Sequence, residues 1–280
     1  MALLSVIIGL LLDRTFRQLH DLRDMTWFEF YSLSIRRFTG QRIPPLQFLL
    51  ILALPMAVIF GIQYLLYGLL FNLPYTVFGI IVFIYCLGPA CLSTDIEAYL
   101  HARTIGDDDE ALQYAGASTG SAASPSPDQQ TTDVTRAILS VANERIFGTL
   151  FWFVVTGPFG CVLYRLVAEL RKQVEFTELA EFSDYIFGIL AWLPARMLAA
   201  GYALTGNFDG AYHAWRDRAV SMDISQGNTE VLVTSGLGAM RNLEMDSELA
   251  SIHAAQALVM RAVIVWIGIL AVMSIGGIFN

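Results

Sequence analysis

The sequence is poor in charge and in lysine. Only 15% of its 280 residues are charged, against about 25% in an average soluble domain. The formal net charge is −8, which argues against a nucleic-acid-binding protein because such proteins need a basic surface. Lys172 is the single lysine among 17 basic residues. GC-rich coding explains this arginine bias without a structural role.

The sequence offers little support for metal, disulfide or nucleotide chemistry. Its three cysteines lie in apolar runs and form no CxxC pair, so we interpret them as small buried hydrophobic residues. None of the four histidines is within metal-ligand spacing of another. A phosphate-binding glycine loop, an HExxH motif and a nucleophile elbow are all missing. We therefore predict no catalytic residue, no cofactor and no metal site.

Long apolar runs are what the chain does contain, and 55% of it is hydrophobic. A helix needs roughly 20 apolar residues to cross the hydrocarbon core of a bilayer. Together with a short apolar helix at 1–12, the runs predict an all-α fold, a polytopic transmembrane helical bundle that forms one membrane domain over 1–280. The five predicted transmembrane segments are 48–71, 75–92, 147–169, 187–204 and 258–279.

Three segments lie between these runs. The arginine-rich and aromatic segment 13–46 predicts an amphipathic helix on the inner leaflet, and a packed cytoplasmic helix explains its pattern equally well. Segment 106–133 combines an acidic run with Gly, Ala, Ser and Pro, which predicts a flexible linker. Segment 205–256 predicts a cytoplasmic helical segment.

The distribution of basic residues predicts the orientation. Segments 13–46, 94–146 and 205–256 carry six, three and three basic residues, whereas 72–74 and 171–186 together carry two. The positive-inside rule places the first three segments in the cytoplasm. We therefore predict a multi-pass protein of a bacterial inner membrane, with its main loops cytoplasmic and its C-terminus external.

Charged residues inside the apolar runs indicate a polar site. Arg196 lies near the middle of 187–204, where an arginine costs roughly 2.5–3.5 kcal/mol, so it should face the protein interior. We predict as its partner a carboxylate or backbone carbonyls opened by Pro158. A polar pocket and a simple helix-to-helix contact are alternatives here. Arg165 can pair with Glu169 one turn on and can snorkel towards the membrane surface.

The candidate polar pocket combines these arginines with the polar start of 147–169, although Asn143, Glu144 and Arg145 also fit a simple charge cluster where a helix enters the membrane. Its predicted members are Asn143, Glu144, Arg145, Tyr164, Arg165, Trp192 and Arg196.

Three blocks of sequence resemble a known family. They are ANERIFGTLFW at 142–152, GPFG at 157–160 with YR at 164–165, and WLPAR at 192–196. The chain resembles the AmpE family and, more distantly, the CobD/CbiB cobalamin-biosynthesis membrane synthases. The resemblance implies a membrane protein tied to β-lactamase regulation and cell-wall recycling.

Departures from the synthases favour the AmpE family. Glu144 alone stands at their acidic position, Ala168 to Arg171 replace an Asn-Thr-x-Asp run, and Phe187 and Gly188 replace paired aspartates. This loss of polar groups implies a non-enzymatic signalling or accessory protein whose cytoplasmic face binds a protein partner. A diverged membrane enzyme acting on a phosphorylated or nucleotide-linked amphiphile is the alternative. A transporter fits less well because no internal repeat is present. We expect contact with membrane lipid and no nucleic acid, and the sequence does not identify a small-molecule ligand.

Overall fold

The computed structural model describes residues 2–15, 25–39, 43–87, 91–119, 124, 126–173, 177–217, 223–241 and 249–275, and these residues contain helices and turns but no strand. A 3₁₀ turn at Leu69–Asn72 and a π-helical turn at Asn143–Phe147 interrupt the α-helices. The α-helices of the described residues are α1 Ala2–Thr15, α2 Thr26–Thr39, α3 Pro44–Leu66, α4 Leu73–Cys86, α5 Cys91–Ile105, α6 Asp108–Thr119, α7 Pro127–Ala142, α8 Gly148–Thr156, α9 Pro158–Leu170, α10 Thr177–Thr205, α11 Phe208–Asp217, α12 Ile224–Ala239 and α13 Ala250–Ile275.

The prediction of an all-helical membrane fold is confirmed. Four stretches of helix among the described residues are long and apolar enough to cross a membrane, namely Pro44–Leu66, Pro127–Thr156, Glu178–Thr205 and Ala250–Val272. In the run predicted at 75–92, residues 75–86 belong to the shorter helix α4, which has 14 residues and a length of about 21 Å. Positions 88–90 of that run lie outside the described residues.

The run predicted as one crossing at 147–169 is two helices. Gly157 ends α8 with φ 71° and ψ −155°, a conformation that is essentially restricted to glycine. Pro158 then starts α9, where its missing N–H costs no helical hydrogen bond. Because α8 and α9 pack against each other, the chain reverses at Gly157. This helical hairpin corrects the prediction of a single continuous helix.

Segment 106–133, predicted as a flexible linker, contains helix α6 and the first turns of α7. Helix α6 packs against both α5 and α7. Its contact face is made of small side chains, since Ala111 and Ala115 are buried. This corrects the linker prediction for the described residues; positions 120–123 and 125 of the segment lie outside them.

The other two segments contain helices, as expected. Segment 13–46 contains the end of α1, all of α2 and the start of α3, and its positions 16–24 and 40–42 lie outside the described residues. Helices α11 and α12 account for most of the described part of 205–256, whose positions 218–222 and 242–248 also lie outside it.

The chain divides into two compact units. The first contains residues 1–88 and 144–194, and the second contains residues 89–143 and 195–280. In the first unit α9 packs on α3, α4 and α8, around the buried side chains of Phe83 and Phe153, whose ring centroids are 5.0 Å apart. In the second unit α7 packs on α6, α12 and α13, and the buried Tyr202 hydroxyl donates to the backbone oxygen of Leu139 at 2.9 Å.

Helix α3 presents an apolar outer face. Leu49, Phe60 and Leu65 are each at least 60% exposed, and the helix contains no Asp, Glu, Lys or Arg. An uncharged and largely apolar helix with an uncovered face suits contact with lipid.

Candidate functional site

The residues predicted to form one pocket belong to two different units. Glu144, Arg145, Tyr164, Arg165 and Trp192 belong to the first unit. Asn143 and Arg196 belong to the second unit. We therefore describe the two groups separately.

In the first unit the π-helical turn at Asn143–Phe147 carries Glu144. Turns of this kind are rare and are often found at functional positions. One carboxylate oxygen of Glu144 forms an ion pair with the Arg171 guanidinium. The other lies 2.9 Å from the Lys172 ammonium. Both oxygens therefore contact cations that come from the far end of the hairpin.

Arg171 connects Glu144 to helix α10. Its Nη1 donates to Asp184 Oδ1 at 3.0 Å, and its guanidinium lies 3.9 Å from the centre of the Phe187 ring. The Phe187 ring in turn packs on Tyr164, with 5.2 Å between the ring centroids. Burial alone would lower the pKa of Arg171, but Glu144 and Asp184 outweigh it and raise that pKa above its usual value. Arg171 therefore remains a cation.

Arg165 forms the i,i+4 pair that its sequence spacing predicts. Its Nη2 lies 2.5 Å from Glu169 Oε1, which confirms that part of the prediction. The residue is only 3% exposed, so the side chain does not snorkel. Its Nε and Nη1 have no hydrogen-bond partner among the described residues.

Lys172 closes the network, because its ammonium also lies 3.5 Å from Glu169 Oε1. Three acids and three bases therefore alternate across the ends of α8, α9 and α10. This charged network, as we call it below, consists of Glu144, Arg165, Glu169, Arg171, Lys172 and Asp184.

Sequence reasoning missed Arg171, Lys172 and Asp184 as members. It placed 171–186 at the opposite end of a straight helix from Glu144. The Gly157-Pro158 pair was the available signal, because glycine before a helix-starting proline is a typical boundary. The apolar residues on both sides of that pair favoured a single helix instead.

In the second unit Arg196 contacts α12. Its Nη1 donates to Asn228 Oδ1 at 2.8 Å, and Asn228 is buried. One partner of Arg196 is thus a side-chain amide oxygen. Pro158 begins a helix, so the prediction that it opens a carbonyl within one is wrong.

Two other predicted members differ in their burial. Trp192 is 47% exposed, whereas Asn143 is buried. Among the described residues, no three His, Cys, Asp or Glu side chains are grouped so that they could hold a metal ion.

The family described as "Regulatory signalling modulator protein AmpE" matches residues 1–279. The chain belongs to the AmpE family. A curated AmpE protein of Shigella flexneri is 28% identical over 171 residues, which cover 57% of this chain and 60% of the relative.

Two relatives carry the name "Cobalamin biosynthesis protein CobD". The protein of Stutzerimonas stutzeri is 32% identical over 111 residues, 38% of this chain and 36% of the relative. That of Chromobacterium violaceum is 29% identical over 109 residues, 37% of this chain and 34% of the relative. The chain thus spans about a third to three fifths of the length of these curated relatives. No solved structure matches it at a significant level.

Proposed function

We propose that this AmpE-family chain is a non-enzymatic regulatory protein of the bacterial inner membrane that modulates β-lactamase induction and is linked to cell-wall recycling. The family match over residues 1–279 supports this proposal. The structural observation that supports it is the place of Glu144 within the charged network.

Glu144 stands at the position where the resembling synthases have an acidic motif. Here each of its carboxylate oxygens contacts a cation, Arg171 or Lys172. Two cations in contact with a carboxylate stabilise its charged form, so Glu144 is held as an anion. Its geometry suits a structural role, in which the π-helical turn is tied to the end of the helical hairpin.

A membrane enzyme of the cobalamin-synthase type is the second candidate. The two relatives named CobD favour it, and so does the concentration of Arg165, Arg171 and Lys172 in one network. In such an enzyme, the anionic groups of a substrate would replace the carboxylates of the network as partners of these three cations.

We further propose that signalling uses a protein partner on the cytoplasmic face, through 13–46 or 205–256. These segments lie outside the long apolar runs and contain the amphipathic helices α2 and α11. Their non-membrane surface is where a soluble partner can bind.

Induction of β-lactamase in a bacterial strain lacking its own copy of the gene tests the main proposal. The intact chain should restore the induction response, and Glu144→Gln should reduce it because the network loses its central anion. Glu181→Gln is the matched control, since Glu181 is an exposed acid on α10. Immunoblots of the membrane fraction must show equal amounts of all three proteins.

Turnover by the purified chain distinguishes the second candidate. Detergent-solubilised protein is incubated with Mg²⁺ and a nucleoside triphosphate, and release of phosphate or pyrophosphate is measured. The regulatory proposal predicts none. Turnover that Glu144→Gln abolishes and Glu181→Gln retains would overturn it in favour of the enzyme.

A further inference from the structure

Helix α11 places its small residues inward and its large apolar residues outward. Gly210 and Ala211 are buried, whereas Phe208 is 59% and Tyr212 50% exposed. A helix that packs on a protein core normally buries its largest apolar side chains. The outward aromatic rings of α11 therefore take no part in its packing within the second unit.

The orientation of α11 is set by close backbone contact with α12. A Cβ atom built on Gly210 would lie 2.4 Å from the backbone oxygen of Gly238, and one on Gly238 equally close to that of Gly210. Asn207 adds two anchors, since its Oδ1 accepts from Gly210 N at 2.9 Å and its N–H donates to Ala239 O at 2.8 Å. The helix cannot rotate its aromatic face inward without breaking these contacts.

Further exposed apolar side chains lie on the elements next to α11 in the chain and in space. Phe208 and Tyr212 are one turn apart and stack in parallel, with 6.4 Å between centroids and 2° between planes. Leu204, at the end of α10, is 59% exposed, and Leu237 on α12 is 37% exposed. We call these four residues the aromatic patch.

We propose that the aromatic patch inserts into the headgroup region of the lipid bilayer, so that α11 is an interfacial anchor. Helix α11 begins three residues after Thr205, where a helix long and apolar enough to cross the membrane ends. Leu204 belongs to that crossing helix, so the patch continues the surface that the helix presents to lipid. Tyrosine and other aromatic residues are enriched at the level where such helices leave the hydrocarbon.

The position of Asp217 is consistent with this placement. Asp217 is exposed, and it is nine positions beyond Phe208, which places it on the opposite side of the helix at 100° per residue. An amphipathic helix lying in the interface keeps such a charged side in water. The inference does not depend on the regulatory role proposed above, since it concerns only how this helix meets lipid.

Fluorescence quenching in vesicles tests the proposal. The full chain, with its three native cysteines replaced by alanine, carries either Tyr212→Cys or the matched control Asp217→Cys on the same helix. Each is labelled with a nitrobenzoxadiazole probe and reconstituted into vesicles of phosphatidylethanolamine and phosphatidylglycerol. Lipids with a nitroxide near the top of the acyl chain quench from within the bilayer, and iodide quenches from water. Both labelled positions are exposed, so labelling does not disturb packing.

The proposal predicts opposite patterns for the two positions. The probe at 212 should be quenched by the nitroxide lipid and lose most of its iodide quenching, and the probe at 217 should show the reverse. Equal iodide quenching at both positions would overturn the proposal, because the patch would then lie in water. The proposal would also be overturned if the probe at 212 were protected from iodide only at a high ratio of protein to lipid. A second copy of the chain, and not the bilayer, would then cover the patch.

Discussion

Glu144 and Arg171 form an ion pair although they are 27 positions apart in the sequence. In one straight helix they would lie about 40 Å from each other. The reversal at Gly157 brings them together, so the charged network exists only because the apolar run at 147–169 is a hairpin. The same reversal changes which loops share a side of the membrane.

The hairpin predicts that Tyr67 and Lys172 face opposite sides of the membrane. Tyr67 packs on Tyr75, whose hydroxyl lies beside the turn at Gly157. Lys172 is at the other end of α9, which has 13 residues and a length of about 20 Å. Single cysteines at 67 and 172, in a chain without native cysteines, should react with a membrane-impermeant maleimide from opposite sides.

The count of basic residues along the sequence makes the contrary prediction for these positions. That count places both 72–74 and 171–186 on the external side of the membrane. Labelling of both cysteines from one side would therefore contradict the hairpin and restore a single crossing at 147–169. The external C-terminus depends on the same count and stays a prediction.

Neutralising Glu144 should destabilise the first unit. Glu144→Gln removes the anion that contacts both Arg171 and Lys172, although Glu169 still lies 3.5 Å from Lys172. The Glu144 and Arg171 side chains are only 13% and 22% exposed. We expect a loss of about 2–3 kcal/mol, less than for a fully buried pair because Asp184 still contacts Arg171. The measurement is thermal unfolding in detergent. Glu181→Gln, at an exposed position, should stay within about 0.5 kcal/mol of the unchanged chain.

A double-mutant cycle shows whether the two ends of the hairpin are coupled. Glu144→Gln and Arg171→Gln together should cost less than the sum of the single changes, because each alone already breaks the ion pair. Additive effects would mean that the pair contributes nothing to stability.

The backbone at Gly157 predicts a second stability effect. Its φ of 71° with ψ of −155° excludes side chains, and a Cβ would lie 3.0 Å from the Tyr75 hydroxyl. Gly157→Ala should therefore cost about 1–3 kcal/mol. Gly61→Ala is the control, because Gly61 is in the interior of α3 with nothing within 4 Å of a built Cβ. Unchanged thermal stability of the Gly157→Ala variant would contradict the described turn.

The helices themselves could be predicted because their signals are local. Apolar runs long enough to cross a bilayer can be counted directly, and the spacing of Arg165 and Glu169 indicates an i,i+4 pair without tertiary information. The length of an apolar run does not reveal a reversal within it. Because α8 and α9 are both apolar, Gly157-Pro158 was the only local sign that one run contained two helices.

Other features depended on packing that composition does not show. Arg196 donates to Asn228, 32 positions away, and no local pattern joins the two residues. Helix α6 was missed because alanine and serine were counted as too weakly hydrophobic to order a segment. Small residues such as Ala115 instead allow a close helix contact, and Ala115 is fully buried.

Because α11 and α12 approach each other closely, we expect Gly210→Ala to lower stability. Gly210→Ala gains up to about 1 kcal/mol of helix propensity. It also forces the new methyl group against the backbone oxygen of Gly238, 2.4 Å away. Backbone cannot move aside as a flexible side chain can, so overpacking of about 1–3 kcal/mol should give a net loss in thermal unfolding. Gly268→Ala in α13, where a built Cβ meets nothing within 4 Å, should show no loss.

The contact between Arg196 and Asn228 predicts that the two residues act as a pair. A hydrogen bond to a charged group contributes about 1.5–3 kcal/mol, and Asn228 is only 5% exposed. Arg196→Met and Asn228→Leu should each lower stability in detergent by about that amount. The double change should cost less than the sum of the two, because either change alone already removes the hydrogen bond between them.

Arg261 is the matched control for Arg196, since it also lies in a helix long enough to cross the membrane. It is exposed, and its Nε donates to Ala257 O of its own helix at 3.3 Å. Arg261→Met should therefore change stability much less than Arg196→Met. Equal losses would mean that removing any arginine from an apolar helix has the same effect, and that the contact with Asn228 is not what makes Arg196 tolerable in the membrane.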